Sequence, residues 1–338
     1  MKRHVAVLGG GTMGTTLADA VAAGDRDCVL WSPDVELVRG VNETHRNPRH
    51  FSDVVLAPSL SATASLEDAV RFAQLAIIAV GSDRVRGLAR SIGAFVPSDL
   101  VLLSATKGLE PQTNKRLSEL LEEETRSQVV GAISGPNSMQ DIIARRPTAL
   151  VVASQANRAF PLAAKLIALP TLHVFGSSDL VGVELAGSLK NIVAIAAGIA
   201  AGLGLGHNAR GLIITIGLAE IQMLATSLGA RAITFMGLAG VGDLFLTTTS
   251  PYSRNHMVGV ELGRGVKLDA IVDQLAKLNE TAEGINAIRT GRELAARQGL
   301  RMPLAECVHA VAFEGLEPRP AFERLLGDAS ATASLTAE

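Results

Sequence analysis

With 338 residues, the chain is long enough for two domains, each with its own core. Apolar residues make up 48% and charged residues 19%, which excludes a disordered chain and suits a compact soluble one. A net charge of −2 and 3% aromatics exclude a basic field or a ring-rich surface for nucleic acid, and give no charge attraction to anionic lipid.

Cys28 and Cys307 match no metal or redox spacing and read as reduced thiols of a cytoplasmic protein. The seven histidines show no ligand spacing, so no metal is expected. The opening MKRHVAVLGGG starts like a targeting peptide, but its apolar run breaks into glycines too early.

In chain order, a strand is expected over His4–Leu8, then a glycine turn, a helix over Thr15–Ala23 and a strand over Cys28–Trp31. Gly9, Gly11 and Gly14 have the G-x-G-x-x-G spacing between strand and helix. That context makes them a dinucleotide fingerprint, with an ordinary glycine-rich turn as the competing reading. Glycines allow a tight turn and close backbone approach, and the helix N-terminus offers N–H groups to a pyrophosphate. An acid about 20 residues past the loop would favour NAD through the ribose 2′-hydroxyl. Asp34 has that spacing but follows Pro33, while Ser32 holds the strand end, so NAD and NADP both remain open.

Further strands are expected at Leu75–Val80, Leu100–Ser104, Val129–Ser134, Ala149–Ala153 and Leu172–Phe175. Helices are expected at Asn114–Glu124 and Ala156–Ala168. Near-continuous apolar strands point to a sheet covered on both faces. Ligands of such sheets bind outside the carboxyl ends of the strands. Three expected strand ends carry unusual residues: Val80-Gly81-Ser82, Ser104-Ala105-Thr106-Lys107-Gly108-Leu109-Glu110 and Ser134-Gly135-Pro136-Asn137. Lys107 is placed there for an anion or a carbonyl oxygen, against the plainer reading of a solvated loop lysine.

From about Asp179 onward helix patterns take over: Leu180–Ala201, Ala209–Leu228 (Asn208 capping, Gly229 stopping), Leu262–Lys277, Gly284–Gln298 and Pro303–Phe313. The chain is therefore expected to divide into 1–178, 179–327 and a frayed polar tail, 328–338. Within the run Glu184–Gly206, Lys190 and Asn191 stand among small and apolar residues. An unpaired buried ammonium is costly, so such a lysine is neutralised, paired or used in chemistry. No polar stripe exists to place it on a solvated face. The uncharged part after Asn191 falls short of the roughly 20 residues of a membrane span. A glycine-rich loop, Thr234–Leu244, carries one acid, Asp243. Ser253-Arg254-Asn255 follows, and offers a hydroxyl, a guanidinium and an amide to a phosphate, or else a polar surface turn.

Together, GGGTMG, ATKGLE, SGPNSM, GVELAGSLKNIVAIAAGIAAGLGLGHNAR, TFMGLAGVGDLFLT, SRN and AEG resemble the bacterial NAD(P)-dependent glycerol-3-phosphate dehydrogenase family, from about Val5 to Pro303. The resemblance implies an α/β N-terminal Rossmann-type doubly wound sheet plus an all-helical C-terminal domain. It implies reduction of dihydroxyacetone phosphate to sn-glycerol 3-phosphate, feeding phospholipid head-group synthesis. Lys190 would be the general acid/base, with Lys107 polarising the same oxygen and lowering the proton affinity of Lys190. Asp243 would orient Lys190 or a substrate hydroxyl. Gly135, Asn137, Asn191, Ser253, Arg254 and Asn255 would contact substrate. Gly9, Gly11, Thr12, Met13, Gly14, Lys107, Met139, Arg254, Thr281 and Glu283 would contact NAD or NADP. No nucleic acid, membrane or metal is implied, and the oligomeric state, a homodimer included, stays open.

Four places depart from the family pattern: Thr12-Met13 for Ser-Trp, Asn137-Ser138-Met139 within Pro-Ser-Phe-Ala, Ser32-Pro33 where an arginine is frequent, and Glu280-Thr281-Ala282 for an apolar segment. All cluster on the cofactor side. Two competing readings remain: a related two-domain dehydrogenase in which Arg254 binds a carboxylate substrate, and a non-catalytic nucleotide sensor.

Overall fold

The computed structural model describes residues 5–71, 73–278 and 281–328. His4, Glu280 and the tail 329–338 lie outside the described residues. The chain divides into two compact units, Met1–Glu184 and Leu185–Glu338.

In the first unit, strands and helices alternate. β1 (Val5–Leu8), α1 (Thr12–Ala23), β2 (Cys28–Trp31), α2 (Val35–Thr44), β3 (Ser61–Thr63), α3 (Leu66–Val70) and β4 (Leu75–Ile78) come first. They are followed by α4 (Val85–Gly93), β5 (Val101–Ser104), α5 (Leu117–Glu124), β6 (Val129–Ser134), α6 (Met139–Ile143), β7 (Thr148–Ala153), α7 (Ala159–Ile167) and β8 (Leu172–Ser177). The sheet order is β3-β2-β1-β4-β5-β6-β7-β8. Neighbours are parallel except β6 and β7, which run antiparallel.

Side chains alternate across the pleat. Val5, Val7, Leu75, Ile77, Val101 and Leu103 pack with Leu17 and Val21 of α1 and with Leu166 of α7. Ala6, Leu8, Ala76, Ile78 and Leu102 pack on the opposite face with Ile92 of α4 and Leu120 of α5. Both faces are buried, which is why these strands read as unbroken apolar runs.

The order of β3, β2, β1 and β4 reverses direction at β1, so the crevice beyond β1 and β4 is the switch point where such sheets bind nucleotides.

The second half is helical: α8 (Leu180–Gly202), α9 (Gly206–Ser227), α10 (Ala232–Phe235), α11 (Asp243–Thr249), α12 (Arg254–Gly263), α13 (Leu268–Lys277), α14 (Glu283–Arg297), α15 (Pro303–Phe313) and α16 (Pro318–Gly327). A π-helical turn, Leu238–Gly242, joins α10 to α11.

Several expected boundaries move. The helix expected from Ala209 starts at Gly206, so Asn208 lies inside its first turn instead of capping it. Gly229 does stop that helix, at φ +95°. The helix expected over Leu262–Lys277 is two, because Gly265 adopts φ +86° between them. The stretch expected as a glycine-rich loop instead carries α10, the π-helical turn and the start of α11.

Helix α8 is 23 residues with mean hydropathy 1.5, long and apolar enough by those measures to cross a membrane, but 94% of that window is buried inside the protein. Its length exceeds the expectation drawn from the run after Asn191 alone. α9 and the stretch Ala232–Thr249 also reach that length and composition, with 39% of each window buried.

Two glycines of α8 meet two of α12. A Cβ on Gly198 would lie 2.2 Å from the His256 carbonyl oxygen, and one on Gly259 would lie 2.1 Å from that of Ile195. Four residues on, Gly202 and Gly263 repeat the contact against Val260 and Ile199. The helices therefore run parallel in this register, backbone against backbone, which only residues without side chains allow.

Candidate active site

The first βα turn is shaped by its glycines. Gly9 sits at φ +134°, and a Cβ there would meet the Ala79 carbonyl oxygen at 2.4 Å. A Cβ on Gly14 would lie 1.8 Å from the Gly9 carbonyl oxygen. The fold itself thus demands both. Gly11 differs, since a Cβ there would meet nothing within 4 Å. The chain has no internal use for that glycine, whereas a phosphate approaching the backbone does.

Gly11 is also the N-cap of α1 and supplies no side-chain cap. The first-turn N–H groups of Thr12, Met13 and Gly14 have no acceptor within the helix, as at any helix N-terminus, which suits an anion. This loop therefore fits a dinucleotide. The Thr12 hydroxyl lies 3.4 Å from His50 Nδ1. Met13 packs partly into the sheet core.

Asn47, fully buried, braces the loop from outside. Its Nδ2 donates to the Gly10 carbonyl at 3.0 Å and to Thr15 Oγ1 at 2.7 Å. No periodicity or motif signals Asn47 in the sequence. Asp34 proves to be the N-cap of α2: its Oδ1 accepts from the N–H of Glu36 (3.0 Å) and Leu37 (3.2 Å).

At the ends of β5 and β6, the half-buried Lys107 donates from Nζ to the Gly135 carbonyl at 2.9 Å and to Asn137 Oδ1 at 2.7 Å. Gly135, at φ +99°, turns its carbonyl there. The loop carrying Lys107 is pinned by the buried Glu110, which takes Arg86 Nε at 2.6 Å and Nη2 at 2.9 Å. That bidentate guanidinium holds the Glu110 carboxyl below the usual carboxylate range. Sequence reading missed both Arg86 and the role of Glu110. Met139 opens α6 in the same region.

In the helical unit, Lys190 is 5% exposed. Its Nζ donates to Asn191 Oδ1 at 3.0 Å and lies 3.6 Å from Asp243 Oδ1. Of the three outcomes for a buried lysine, this one is paired. Asn191, expected on substrate or cofactor, turns its carbonyl oxygen to Lys190. Asp243, 1% exposed, starts α11, directly after the π-helical turn.

Ser253 caps α12 by accepting from the His256 N–H at 3.3 Å. Asn255 Oδ1 accepts from the Gly284 N–H at 2.9 Å, tying α12 to the start of α14 beside Glu283. Two of the three residues in the expected anion-binding tripeptide thus hold structure. Arg254, half-buried at the first position of α12, has no ion-pair partner among the described residues. Thr281 is exposed. Among the described residues no group of three or more His, Cys, Asp or Glu side chains is placed to hold a metal ion.

A doubly wound sheet whose first turn is cut for a pyrophosphate, in one chain with a helical unit carrying a buried, carboxylate-paired lysine, defines a nicotinamide-dependent dehydrogenase. Comparison with known proteins narrows the class. Residues 4–160 match the family model for the NAD-dependent glycerol-3-phosphate dehydrogenase N-terminus, and residues 179–323 match that for its C-terminus.

Glycerol-3-phosphate dehydrogenase [NAD(P)+] of Nitratidesulfovibrio vulgaris is 39% identical, over 95% of this chain and 97% of that one. The enzyme of the same name from Macrococcus caseolyticus is 36% identical, over 96% and 97%. The crystal structure of glycerol-3-phosphate dehydrogenase from Coxiella burnetii superposes with a TM-score of 0.90 at 32% identity, covering 97% of this chain and 99% of that one. The chain belongs to the NAD-dependent glycerol-3-phosphate dehydrogenase family and is an NAD(P)-dependent oxidoreductase acting on a CH–OH group.

Proposed function

We propose that the protein interconverts dihydroxyacetone phosphate and sn-glycerol 3-phosphate, in the cytoplasm, with the reductive direction supplying glycerophospholipid synthesis. The carrying observation is Lys190, buried yet held by Asn191 Oδ1 and Asp243 Oδ1. A carboxylate 3.6 Å away stabilises the ammonium, the form that a proton donor needs.

A nicotinamide held at the glycine loop would supply a hydride to the substrate carbon. The chain must then place a proton on the carbonyl oxygen, and Lys190 Nζ gives it. General acid–base help of this kind is worth about 10²–10⁴-fold. Asp243 and Asn191 hold the ammonium in its rotamer, and Asp243 balances its charge. Arg254 takes the phosphate, its planar fork matching two phosphate oxygens. Lys107, aimed by Gly135 and Asn137, places a second cation for the developing oxyanion or the nicotinamide side. Gly9, Gly11, Thr12, Met13 and Gly14 carry the pyrophosphate at the start of α1, and Met139, Thr281 and Glu283 border the cofactor. Residues 179–327 form the catalytic domain in this reading.

A cofactor-oxidation assay tests it, with dihydroxyacetone phosphate set against 2-keto acids, using NADH and NADPH in parallel. Turnover confined to the phosphorylated ketone is expected, and preference for a keto acid would refute the assignment. Arg254→Ala should raise the KM for the phosphorylated ketone about tenfold, the loss of one charge-assisted contact. An unchanged KM would remove Arg254 from the anion site.

A further inference from the structure

The end of β2, where a dinucleotide's adenine ribose lies, carries an arrangement that the family's general activity leaves unexplained. Discrimination there rests on an acid that accepts from the 2′-hydroxyl, or on an arginine that takes a 2′-phosphate. The acid at the right spacing, Asp34, is already committed. Its Oδ1 caps α2, and its Oδ2 receives Arg49 Nε at 2.8 Å. The guanidinium holds the Asp34 carboxyl below its usual range.

The rest of that edge suits an anion. Ser32, next after the strand, is buried, and its Oγ accepts the Asp34 N–H at 3.2 Å. It touches the glycine loop: a Cβ on Gly10 would lie 2.9 Å from Ser32 Oγ. Arg49 is tied to the same loop. Asn47 Oδ1 accepts the backbone N–H of Arg49 at 2.9 Å and of His50 at 3.1 Å, while its Nδ2 holds the Gly10 carbonyl. With Nε engaged on Asp34, the Nη1 and Nη2 groups of Arg49 make no hydrogen bond among the described residues, and the side chain is 56% exposed. Such an edge is the geometry that grips a phosphate in two bonds.

We propose that Arg49, aimed by Asp34 and Asn47, binds the 2′-phosphate of NADP and makes this protein select NADP over NAD. The proposal rests on the glycine loop being the nucleotide site. It gives Asp34 the work of aiming an arginine in place of the ribose contact that its spacing suggests.

Trp31, the sole tryptophan, immediately precedes Ser32 and reports binding by its fluorescence without any turnover. Titration with NADPH and NADH should show NADPH bound at least about tenfold tighter, as a charge-assisted bidentate contact predicts. Arg49→Ala should weaken NADPH by about tenfold or more and change NADH by less than about twofold, with Arg49→Lys between the two. Equal affinities in the unaltered protein, or an Arg49→Ala loss shared by both nucleotides, would overturn the proposal.

Asp34→Asn keeps an N-cap side chain and removes the charge beside Arg49, so the protein stays folded. It should leave NADH binding unchanged and weaken NADPH binding by less than Arg49→Ala does, because the arginine loses the charge that aims it; NADPH binding left unchanged would remove Asp34 from that role. A selective loss of NADH would show Asp34 to be a ribose acceptor and overturn the proposal. Absence of binding by either nucleotide would bring down the glycine-loop reading as well.

Discussion

Lys107 and Lys190, one in each compact unit, stand in different surroundings. Lys107 stands on a loop beyond β5, half-buried, with its ammonium donating to a backbone carbonyl and an amide oxygen, both uncharged. Lys190 stands inside a helix, 5% exposed, with a buried carboxylate beside it. Hydrogen bonds to fixed oxygens aim an ammonium that water still reaches, whereas a desolvated one gains most from a counter-charge. The loop lysine is aimed by its hydrogen bonds, and the helix lysine has a carboxylate oxygen 3.6 Å from its Nζ.

Substituting the helix lysine gives the largest effect. Lys190→Ala should reduce turnover by at least about 10² while nucleotide binding, read by fluorescence titration, is retained. A near-normal rate would make Lys190 a structural ion-pair member only.

The next effect falls on stability. Asp243→Ala strands a buried ammonium and should cost the helical unit about 3 kcal/mol in urea unfolding. Lys107→Ala, on a half-exposed loop, should cost under about 1 kcal/mol. Equal costs would erase the distinction between the two lysines.

Glu220 sharpens the contrast, because among the described residues this buried carboxyl is met by neutral donors. Its carboxylate accepts from the N–H groups of Leu304 at 2.7 Å and Ala305 at 3.2 Å, at the start of α15. Burial pushes its pKa up to about 7 from 4.5, against those two hydrogen bonds. The folded state therefore holds the proton more tightly than the unfolded one. This contribution to stability is complete below pH 4.5 and is lost as pH rises through about 7. Relative to Glu220→Gln, the unaltered protein should lose about 3 kcal/mol across that window, measured by unfolding at several pH values. A flat difference would show Glu220 to be ionised throughout.

An effect smaller than that at Asp243 is expected at the helix contact. Gly259→Ala sets a methyl against the Ile195 carbonyl, and overpacking of this kind costs about 1–3 kcal/mol. Thermal unfolding measures it, and an unchanged midpoint would show that the two backbones part freely.

Much of this was legible in the sequence. β2 and β6 appear with their expected ends because apolar, β-branched runs bounded by turn residues leave little choice. β3 is three residues, Ser-Ala-Thr, too short and polar to carry a period. Ser253-Arg254-Asn255 reads in sequence as an anion-binding tripeptide or a polar turn, because Ser253 and Asn255 are capping and tying residues whose partners, His256 and Gly284, identify themselves only in space. The same holds for Asn47 and Arg86, which act through contacts 37 and 24 residues away in sequence. Lys190 was visible because its surroundings were wrong for a lysine; its partner Asp243, 53 residues on, stood out as the one acid in an apolar stretch.

The glycine contacts between α8 and α12 have a bearing on substrate size. Lys190 lies eight residues before Gly198 and Arg254 five before Gly259, about 12 Å and about 8 Å along their axes, toward the same end of a parallel pair. Nothing compressible separates the two backbones, so the span between proton donor and guanidinium cannot be retuned by swapping one side chain for another. With the roles proposed for them, the pair works as a ruler. A ketone whose phosphate sits one carbon further from its carbonyl would be measured and found too long.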